Sequence, residues 1–396
     1  MLALCWNGVN SLGLQRVDDP RLINPHDAII RVSLSSVCGS DLHLIDGFVP
    51  TMRPGDIIGH EFIGEVVDIG RDVQKLEVGS RVVVSSVIGC GKCFHCEGGE
   101  YSLCDNTNPN EEILDKAYGA CTAGIFGYSH AFGGYAGSHA QFIRVPFADF
   151  GCTPIPEEIT DESALFVSDA FPTGFMAADM CDIQPGDVVA VWGCGGVGQM
   201  AIQSAFLLGA DRVIAIDGVP ERLKLAQIHS RCETLNYEQV DVHEALKELT
   251  GGRGPDACID AVGMEAHDRG AEHVYDKAKS ILFVETERGS VLRQAIRSCR
   301  KGGTISIVGV YGGLLDKFPM GAAMNKGLRF RMGQMHGQKY APRLLKHIAA
   351  GDVDPSFLLT HKLSLREGPE GYQMFKNKSD HCVRVAFDPW NEPTVH

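Results

Sequence analysis

The stretch Val188-Val-Ala-Val-Trp-Gly-Cys-Gly-Gly-Val-Gly198 joins a short apolar run to a glycine-rich turn. Five consecutive apolar residues, Val188 to Trp192, are typical of a strand that is buried on both faces of a sheet. From Val197 to Gly209 the apolar residues recur at helical spacing. A strand, a glycine turn and a helix in this order predict the first unit of a parallel β-α-β fold.

The turn itself fits the pattern that binds dinucleotides. Gly193 permits the tight turn, Gly195 allows a pyrophosphate to approach the backbone, and Gly198 allows close packing of helix on strand. Gly196 lies where the helix begins, and a helix N-terminus offers free N–H groups to phosphates. The alternative is a glycine turn that holds no ligand.

An acidic residue at the end of the next strand indicates which dinucleotide is bound. Asp217 follows Gly198 by nineteen residues, where a carboxylate can accept hydrogen bonds from both ribose hydroxyls. Its charge would repel a 2′-phosphate, so the sequence favours NAD over NADP. Arg222 weakens this preference, because an arginine can stack on adenine or meet a phosphate.

The remaining pattern predicts a second domain. After the strand at 213–217, further strands are predicted at 257–262, 304–308 and 328–332, which makes a doubly wound parallel sheet. The first ~150 residues instead read as short β segments broken by Gly and Pro. The chain after Gly333 has a helix predicted at 341–350 and strand-like pieces that end at 383–387, which we expect to return to the first domain. A length of 396 residues agrees with two domains.

Four cysteines within fifteen residues, Cys90, Cys93, Cys96 and Cys104, predict a structural metal site. Thiolates at this spacing can converge on one tetrahedral ion, and zinc is the ion that prefers four sulfurs in a closed site. Disulfide pairing is the alternative, but cysteines this close together suit a metal better. Such a site leaves no open position for a substrate.

A second metal site is suggested by three residues outside that cluster. Cys38 and His60 supply one thiolate and one imidazole, and Asp169 is an acid within an apolar run. A buried carboxylate needs a partner, and a thiolate, an imidazole and a carboxylate neutralise Zn²⁺ while leaving a fourth position open. The alternatives are a satisfied core histidine at His60 and a helix N-cap or an ion pair at Asp169.

Composition excludes several classes of protein. The net charge of −14 disfavours a nucleic-acid partner, which requires clusters of Lys and Arg. No apolar stretch approaches the ~20 residues that span a bilayer, and the N-terminus lacks a basic leader, so we expect neither membrane association nor secretion. Cysteines scattered in apolar runs are typical of free buried thiols. These features favour a reduced, cytoplasmic setting.

The chain resembles the zinc-dependent alcohol dehydrogenases of the medium-chain dehydrogenase/reductase superfamily over nearly its whole length. The matching pieces are Cys38-x-Ser40-x-x-His43, Gly59-His60-Glu61, the four-cysteine lobe and the glycine turn. Within that superfamily it is most similar to the glutathione-independent formaldehyde dehydrogenase branch, in which Asp takes the third ligand position. The resemblance implies a GroES-like catalytic domain at 1–165 with the zinc lobe at 88–106, a Rossmann domain at 166–333 with an insertion at 267–288, and a return at 334–396.

The resemblance also implies roles for single residues. Ser40 would take the proton of a zinc-bound alcohol and pass it through the nicotinamide ribose to His43, and Glu61 would orient or transiently replace a zinc ligand. Phe48, Phe126 and Phe132 could wall a small substrate pocket. The positions that match cofactor contacts of that branch are Val197, Asp217, Arg222, Val262, Val308, Val310, Gln334 and His336, although the three valines from 262 onward also read as buried strand ends.

These implications predict an oxidoreductase with one catalytic zinc, one structural zinc and NAD, acting on a small alcohol or an aldehyde hydrate such as that of formaldehyde. An insertion over the cofactor would slow its release and permit dismutation of the aldehyde. The alternative is a polyol or threonine-type alcohol dehydrogenase. A third hypothesis is a non-catalytic protein that binds NAD and zinc and senses redox state. The resemblance suggests a homodimer or homotetramer. The stretch Gly127 to His139, rich in Gly and His, has no assigned role.

Overall fold

The computed structural model describes residues 1–265, 289–313 and 315–391, and it divides the chain into two units. The first unit combines Met1–Pro172 with Met335–His396, and the second unit is Thr173–Gln334. The insertion predicted at 267–288 lies outside the described residues. Within the described ranges, no helix has both the length and the apolar character needed to cross a membrane.

The first part of the first unit consists mostly of short strands. The strands are β1 (Leu2–Gly8), β2 (Ser11–Arg16), β3 (Ala28–Ser36), β4 (Asp56–Ile57), β5 (Glu61–Ile69), β6 (Arg81–Val84), β7 (Val87–Ile88), β8 (Gly124–Ile125), β9 (Phe142–Val145) and β10 (Cys152–Pro154). The helices are α1 (Gly39–Ile45), α2 (Phe94–Glu97), α3 (Glu111–Tyr118), α4 (Ala148–Gly151) and α5 (Asp161–Leu165).

The second unit alternates strands and helices, as the sequence predicts. Its elements are α6 (Ala170–Asp179, which contains the boundary between the units), β11 (Val188–Trp192), α7 (Gly196–Leu207), β12 (Arg212–Asp217), α8 (Pro220–Ser230), β13 (Glu233–Asn236), α9 (Val242–Leu249), β14 (Ala257–Asp260), α10 (Ser290–Ser298), β15 (Thr304–Ile307), α11 (Met320–Asn325) and β16 (Arg329–Met332). The chain then returns to the first unit with α12 (Gly337–Ala349), β17 (His361–Ser364), α13 (Gly368–Asn377) and β18 (Val385–Asp388).

The six strands of the second unit form one parallel sheet in the order β13-β12-β11-β14-β15-β16. Alternate residues of β11 enter two separate cores: Val189 and Val191 pack with α7, whereas Val188, Ala190 and Trp192 pack with α9 and α10. Both faces are therefore covered, which explains the uninterrupted apolar run. The strand order reverses between β11 and β14, and ligands of such sheets bind at this point.

The seven-stranded sheet of the first unit brings distant segments to one edge. Its order is β10-β6-β5-β3-β18-β17, and β9 also pairs with β3. In the antiparallel pairs, Ser36 lies opposite both Glu61 and Ala386, and Phe62 lies opposite Val84. Residues just beyond the end of β3, just before β5 and β18, and just after β6 are consequently neighbours.

Candidate metal and cofactor sites

The sheet edge at Ser36 brings together three side chains of the kinds that bind metals, Cys38, His60 and Glu61, which we call the metal cluster. Cys38 follows β3, His60 precedes β5 and Glu61 begins it, and their ligand atoms lie within 4.8 Å of one another. All three residues are buried. Thiolate, imidazole and carboxylate donors suit zinc, so the donor set fits the metal that the sequence predicts.

Asp169 approaches the same cluster from the other side. Its Oδ2 lies 3.8 Å from Nε2 of His60 and accepts a 2.6 Å hydrogen bond from Oγ of Ser86. The backbone N–H of Ser86 also donates to the carbonyl of Ser168, which ties this segment to the end of β6. The structure thus brings Asp169 beside His60, and Ser86 holds the carboxylate there.

Asp41, on α1, fixes the orientation of His60. Its Oδ1 lies 3.0 Å from Nδ1 of His60, and its Oδ2 accepts hydrogen bonds from the backbone N–H of Cys38 and from the hydroxyl of Tyr372. Burial opposes charge on Asp41, but His60 outweighs it and lowers the pKa of the Asp41 carboxyl. A carboxylate at Nδ1 keeps the proton on that nitrogen and leaves Nε2 free to bind a metal.

A buried ion pair lies beside the ligands. Nη1 of Arg384 is 3.2 Å from Oε1 of Glu61 and also donates to the carbonyl of Val37. Burial raises the pKa of Glu61 to about 7; Arg384 opposes this rise and the charge of Asp169 adds to it. Burial therefore disfavours the charged form of Glu61, next to His60, whereas Arg384 favours it.

The predicted proton-transfer residues share one face of α1. Oγ of Ser40 lies 3.4 Å from Nε2 of His60, and His43 follows one turn later, buried and edge-on to the ring of Phe48. Residues three apart on a helix lie on the same face, so the two side chains are neighbours along a short path.

Aromatic rings form one wall of the cluster. The ring of Tyr128 stands edge-on to His60 with centroids 6.3 Å apart, and Phe132 packs on Tyr128 at 5.3 Å. Burial raises the pKa of the Tyr128 phenol, and the charges of Asp41 and Cys38 raise it further. Phe126, for which the sequence suggests the same role, packs into the sheet core against Phe62 instead.

The four-cysteine lobe has the dimensions of a tetrahedral site. All four sulfurs lie within 4.8 Å of one another, with Cys90–Cys96 at 4.0 Å and Cys93–Cys104 at 3.8 Å. Zn–S bonds of about 2.3 Å in a tetrahedron require sulfurs roughly 3.8 Å apart. Burial opposes ionisation, yet N–H donors from Lys92 and Asn106 bring the pKa of Cys90 down to about 7. The lobe therefore fits a structural zinc, and all fourteen cysteines of the chain are free thiols in the structure.

The glycine turn follows β11 as the sequence predicts. Gly193 has a φ of +87°, and a Cβ at Gly198 would lie 1.7 Å from the carbonyl oxygen of Gly193, so neither position tolerates a side chain. Gly195 is the N-cap of α7, and Gly196 and Val197 form its first turn. This leaves a bare backbone cradle at a helix N-terminus, which fits a pyrophosphate.

Asp217 and Arg222 lie at the same turn. Asp217 ends β12, and its two carboxylate oxygens accept the backbone N–H groups of Cys194 and Val219 at 2.7 and 2.9 Å. Each oxygen keeps lone pairs for further hydrogen bonds. Nη1 of Arg222 lies 3.8 Å from the place of a Cβ on Gly195, and its buried Nε has no hydrogen-bond partner. An anionic ligand on the turn would satisfy this nitrogen.

The other predicted cofactor residues divide between the two units. Val262 and Val308–Val310 follow β14 and β15, where Val262 lies over Gly193 and the backbone of Val310 touches Gly263. Gln334 is the last residue of the second unit. His336 belongs to the first unit, where its Nδ1 accepts the N–H of Ser102 at 3.3 Å.

Sequence reasoning missed four residues that support the metal cluster: Asp41, Ser86, Tyr128 and Arg384. Asp41 could have been found from the sequence, because an acid three residues after the candidate ligand Cys38 can accept the backbone N–H of Cys38 at the start of the helix. Arg384 and Ser86 had none, because only strand pairing brings them to the cluster.

Comparison with known proteins places these features in context. The alcohol dehydrogenase GroES-like domain model matches residues 24–157, and the zinc-binding dehydrogenase model matches residues 196–283. An uncharacterised zinc-type alcohol dehydrogenase-like protein of Bacillus subtilis is 40% identical over 392 residues, which cover 98% of this chain and 100% of the relative.

Two further similarities extend this finding. The glutathione-independent formaldehyde dehydrogenase of Bacillus subtilis is 32% identical, with 92% of this chain and 87% of the relative covered. Among solved structures, the alcohol dehydrogenase TADH of Thermus sp. ATN1 is 33% identical and superposes with a TM-score of 0.82, covering 98% of this chain and 99% of that one.

Proposed function

Because the chain belongs to the family of zinc-type alcohol dehydrogenases, we propose that it oxidises a small alcohol or an aldehyde hydrate with NAD as hydride acceptor. The observation that carries the proposal is the cluster of Cys38, His60 and Glu61. Oδ2 of Asp169 and the Ser40 hydroxyl lie 3.8 and 3.4 Å from Nε2 of His60. Alcohol oxidation by zinc requires metal-binding side chains with a proton acceptor close to them.

Each residue of the site has a distinct task in this proposal. Cys38, His60 and Asp169 would hold the catalytic zinc, which when bound supplies a Lewis acid that acidifies an alcohol, while NAD supplies the hydride acceptor. The Ser40 hydroxyl would accept the alcohol proton as it releases its own, and His43, one turn along α1, would take the released proton onward. Asp41 lies 3.0 Å from Nδ1 of His60, where it favours the neutral tautomer that leaves Nε2 for the metal, and Arg384 pairs with Glu61.

The substrate is proposed to be small. Tyr128 and Phe132 stand beside the cluster, so the wall that these two residues form offers mainly aromatic surface to a substrate. The hydrate of formaldehyde is a gem-diol, and loss of a proton from one hydroxyl and of hydride from carbon gives formic acid, which ionises to formate.

NMR of the purified protein with formaldehyde tests this assignment. Formate that accumulates with added NAD supports the proposal, and equal amounts of formate and methanol without added NAD would show retained cofactor and dismutation. Turnover of polyols with none of formaldehyde or of short alcohols would favour the polyol alternative. The Ser40→Ala variant should lose most turnover but keep its zinc, whereas a redox sensor would show no turnover in either form.

The preference for NAD is proposed from the charge of Asp217. The Asp217→Asn variant keeps a hydrogen-bond acceptor at the turn but removes the charge that would repel a 2′-phosphate. We expect the ratio of kcat/KM for NAD over NADP to fall by about 10-fold or more, since each tenfold corresponds to ~1.4 kcal/mol and close like charges repel more strongly than this. The exposed Asp211 gives a matched control, Asp211→Asn, and an unchanged ratio in Asp217→Asn would contradict the proposal.

A further inference from the structure

A chain of buried hydrogen bonds continues behind Asp41, away from the metal cluster. The hydroxyl of Tyr372 lies 3.0 Å from Oδ2 of Asp41 and 2.8 Å from Nε2 of His139. Nδ1 of His139 lies 2.7 Å from Oγ of Ser35, which lies 2.7 Å from Oγ of Ser138. Together with the 3.0 Å contact from Asp41 to His60, five links join Ser138 to the candidate ligand.

Every member of the chain is shielded from solvent. Tyr372 is 2% exposed, and Ser35, Asp41, Ser138 and His139 are 0% exposed. They come from four separate segments: β3, α1, the loop before β9, and α13. Polar groups this deeply buried are costly unless they are all satisfied, and here each finds a partner in the next.

The direction of each hydrogen bond follows from the Tyr372 hydroxyl, which donates to Oδ2 of Asp41. A carboxylate can only accept, so the Tyr372 hydroxyl donates to it and must itself accept from Nε2–H of His139. His139 is neutral, because burial lowers its pKa to about 4, so its Nδ1 accepts from Ser35, which accepts from Ser138. All these donors point toward Oδ2 of Asp41, and Oδ1 of the same carboxylate lies 3.0 Å from Nδ1 of His60.

We propose that Tyr372 and His139 are positioning residues for the metal ligand His60 and act through Asp41. The inference rests on the proposed role of His60 as a zinc ligand. Tyr372 and the backbone N–H of Cys38 hold Oδ2 of Asp41, which turns Oδ1 toward His60. Without the hydroxyl, the Asp41 carboxylate loses one of two anchors and the N–H of His139 has no acceptor.

The backbone beside His60 is built to admit His139. Gly59 has a φ of +93°, and a Cβ at this position would lie 2.5 Å from Nδ1 of His139. A side chain at residue 59 would therefore displace the imidazole that supports Tyr372. This gives part of the unassigned Gly127 to His139 stretch a role.

Zinc affinity, measured by competition with a chromophoric chelator, tests the proposal without relying on turnover. The Tyr372→Phe variant removes only the hydroxyl, and we expect about 10-fold weaker binding of one of two zinc ions, as for other changes behind a histidine ligand. The matched control is Tyr135→Phe, because the Tyr135 hydroxyl donates to the Thr107 carbonyl at 2.7 Å and takes no part in the chain. The control should bind both zinc ions as the wild type does.

Combining Tyr372→Phe with a change at Asp41 distinguishes a positioning role of Tyr372 from a general loss of stability. In an Asp41→Asn background, Tyr372→Phe should have little further effect on zinc affinity, because the group through which it acts is already altered. His139→Gln, which can place an N–H near the position of Nε2, should retain most of the affinity, whereas the shorter His139→Asn should not. These two variants also decide the matter if Tyr372→Phe fails to fold.

The outcomes distinguish this inference from the proposed function. Wild-type protein that binds a single zinc would overturn both. Wild-type protein with two zinc ions, but with equal affinities in Tyr372→Phe and Tyr135→Phe or equal effects of Tyr372→Phe in both backgrounds, would overturn the positioning role alone. The absorption of bound cobalt gives a second readout, because a turned imidazole changes the d–d bands while a remote loss of stability does not.

Discussion

His60 shows how neighbouring side chains position a single proposed metal ligand. Its ring contacts Asp41 on one nitrogen, Asp169 and Ser40 on the other, and Tyr128 on its face. Cys38 and His60 were readable from short motifs, because neighbouring residues carry the pattern. Arg384 was not, since its place beside Cys38 depends on pairing between β18 and β3.

Asp169 provides the most direct test at the level of one residue. Asp169→Ala removes a carboxylate 3.8 Å from Nε2 of His60, so we expect zinc content to fall from two ions to one per chain, with loss of turnover. Metal analysis after dialysis measures this. Asp68→Ala deletes an exposed carboxylate of the same unit and should keep both ions; two zinc ions in Asp169→Ala would refute the ligand assignment.

His139 predicts a pH dependence of stability. Its folded pKa of about 4 lies below the ordinary value of 6.5, so between these values the unfolded chain binds a proton that the folded chain does not. Stability is therefore fully present above the unfolded pKa and falls as pH decreases, by up to about 3 kcal/mol from this residue. Urea midpoints from about pH 7 to about pH 5 should fall more steeply for wild type than for His139→Gln. Parallel pH profiles would contradict this.

At the scale of elements, the four-cysteine lobe is a separate part of the first unit with its own set of metal-binding side chains. Cys93→Ser should remove one zinc ion and expose the segment 88–106 to proteolysis, while the cluster at His60 keeps its own ion, because no ligand is shared between the two groups. Limited proteolysis with metal analysis checks both parts. Cys121→Ser changes another partly exposed thiol and serves as the control; loss of both zinc ions in Cys93→Ser alone would show that the sites depend on each other.

The turns after the strands explain which elements were predictable. The run Val188–Trp192 and its glycines specify strand, turn and helix within a few residues, and the structure has them there. The helix α12 begins at Gly337, earlier than the apolar spacing from residue 341 indicates, because its first turn carries few apolar residues. Local patterns identify an element more reliably than its first residue.

At the scale of the whole molecule, the combination of a GroES-like domain and a Rossmann-like domain was predictable from the sequence. Alternating strands and helices leave few arrangements for the parallel sheet, because crossover connections have one hand. The order of the seven-stranded sheet was not predictable, since its strands are short and pair across long separations. That order is also what assembles the metal cluster, so the site geometry could not be derived before the fold.

We propose that the molecule is a homodimer or homotetramer, and the second unit offers a suitable surface. Within the described part of the chain, β16 is an edge strand, and the nearby Met320, Met324 and Met332 are 64%, 81% and 61% exposed. An edge with exposed apolar side chains is prone to pair with another chain. Light scattering should give two or four chain masses for wild type and a smaller assembly for Met332→Lys; a wild-type monomer would refute the proposal.

The contribution of α13 and β18 to the metal cluster has a consequence for biosynthesis. Tyr372 is 331 residues later in the chain than Asp41, and Arg384 is later still. A ribosome makes the proposed zinc ligands Cys38 and His60 long before Tyr372 and Arg384, so the nascent chain at first carries them without these two neighbours. On the proposed assignment, we expect productive loading of the catalytic metal to follow synthesis of α13 and β18.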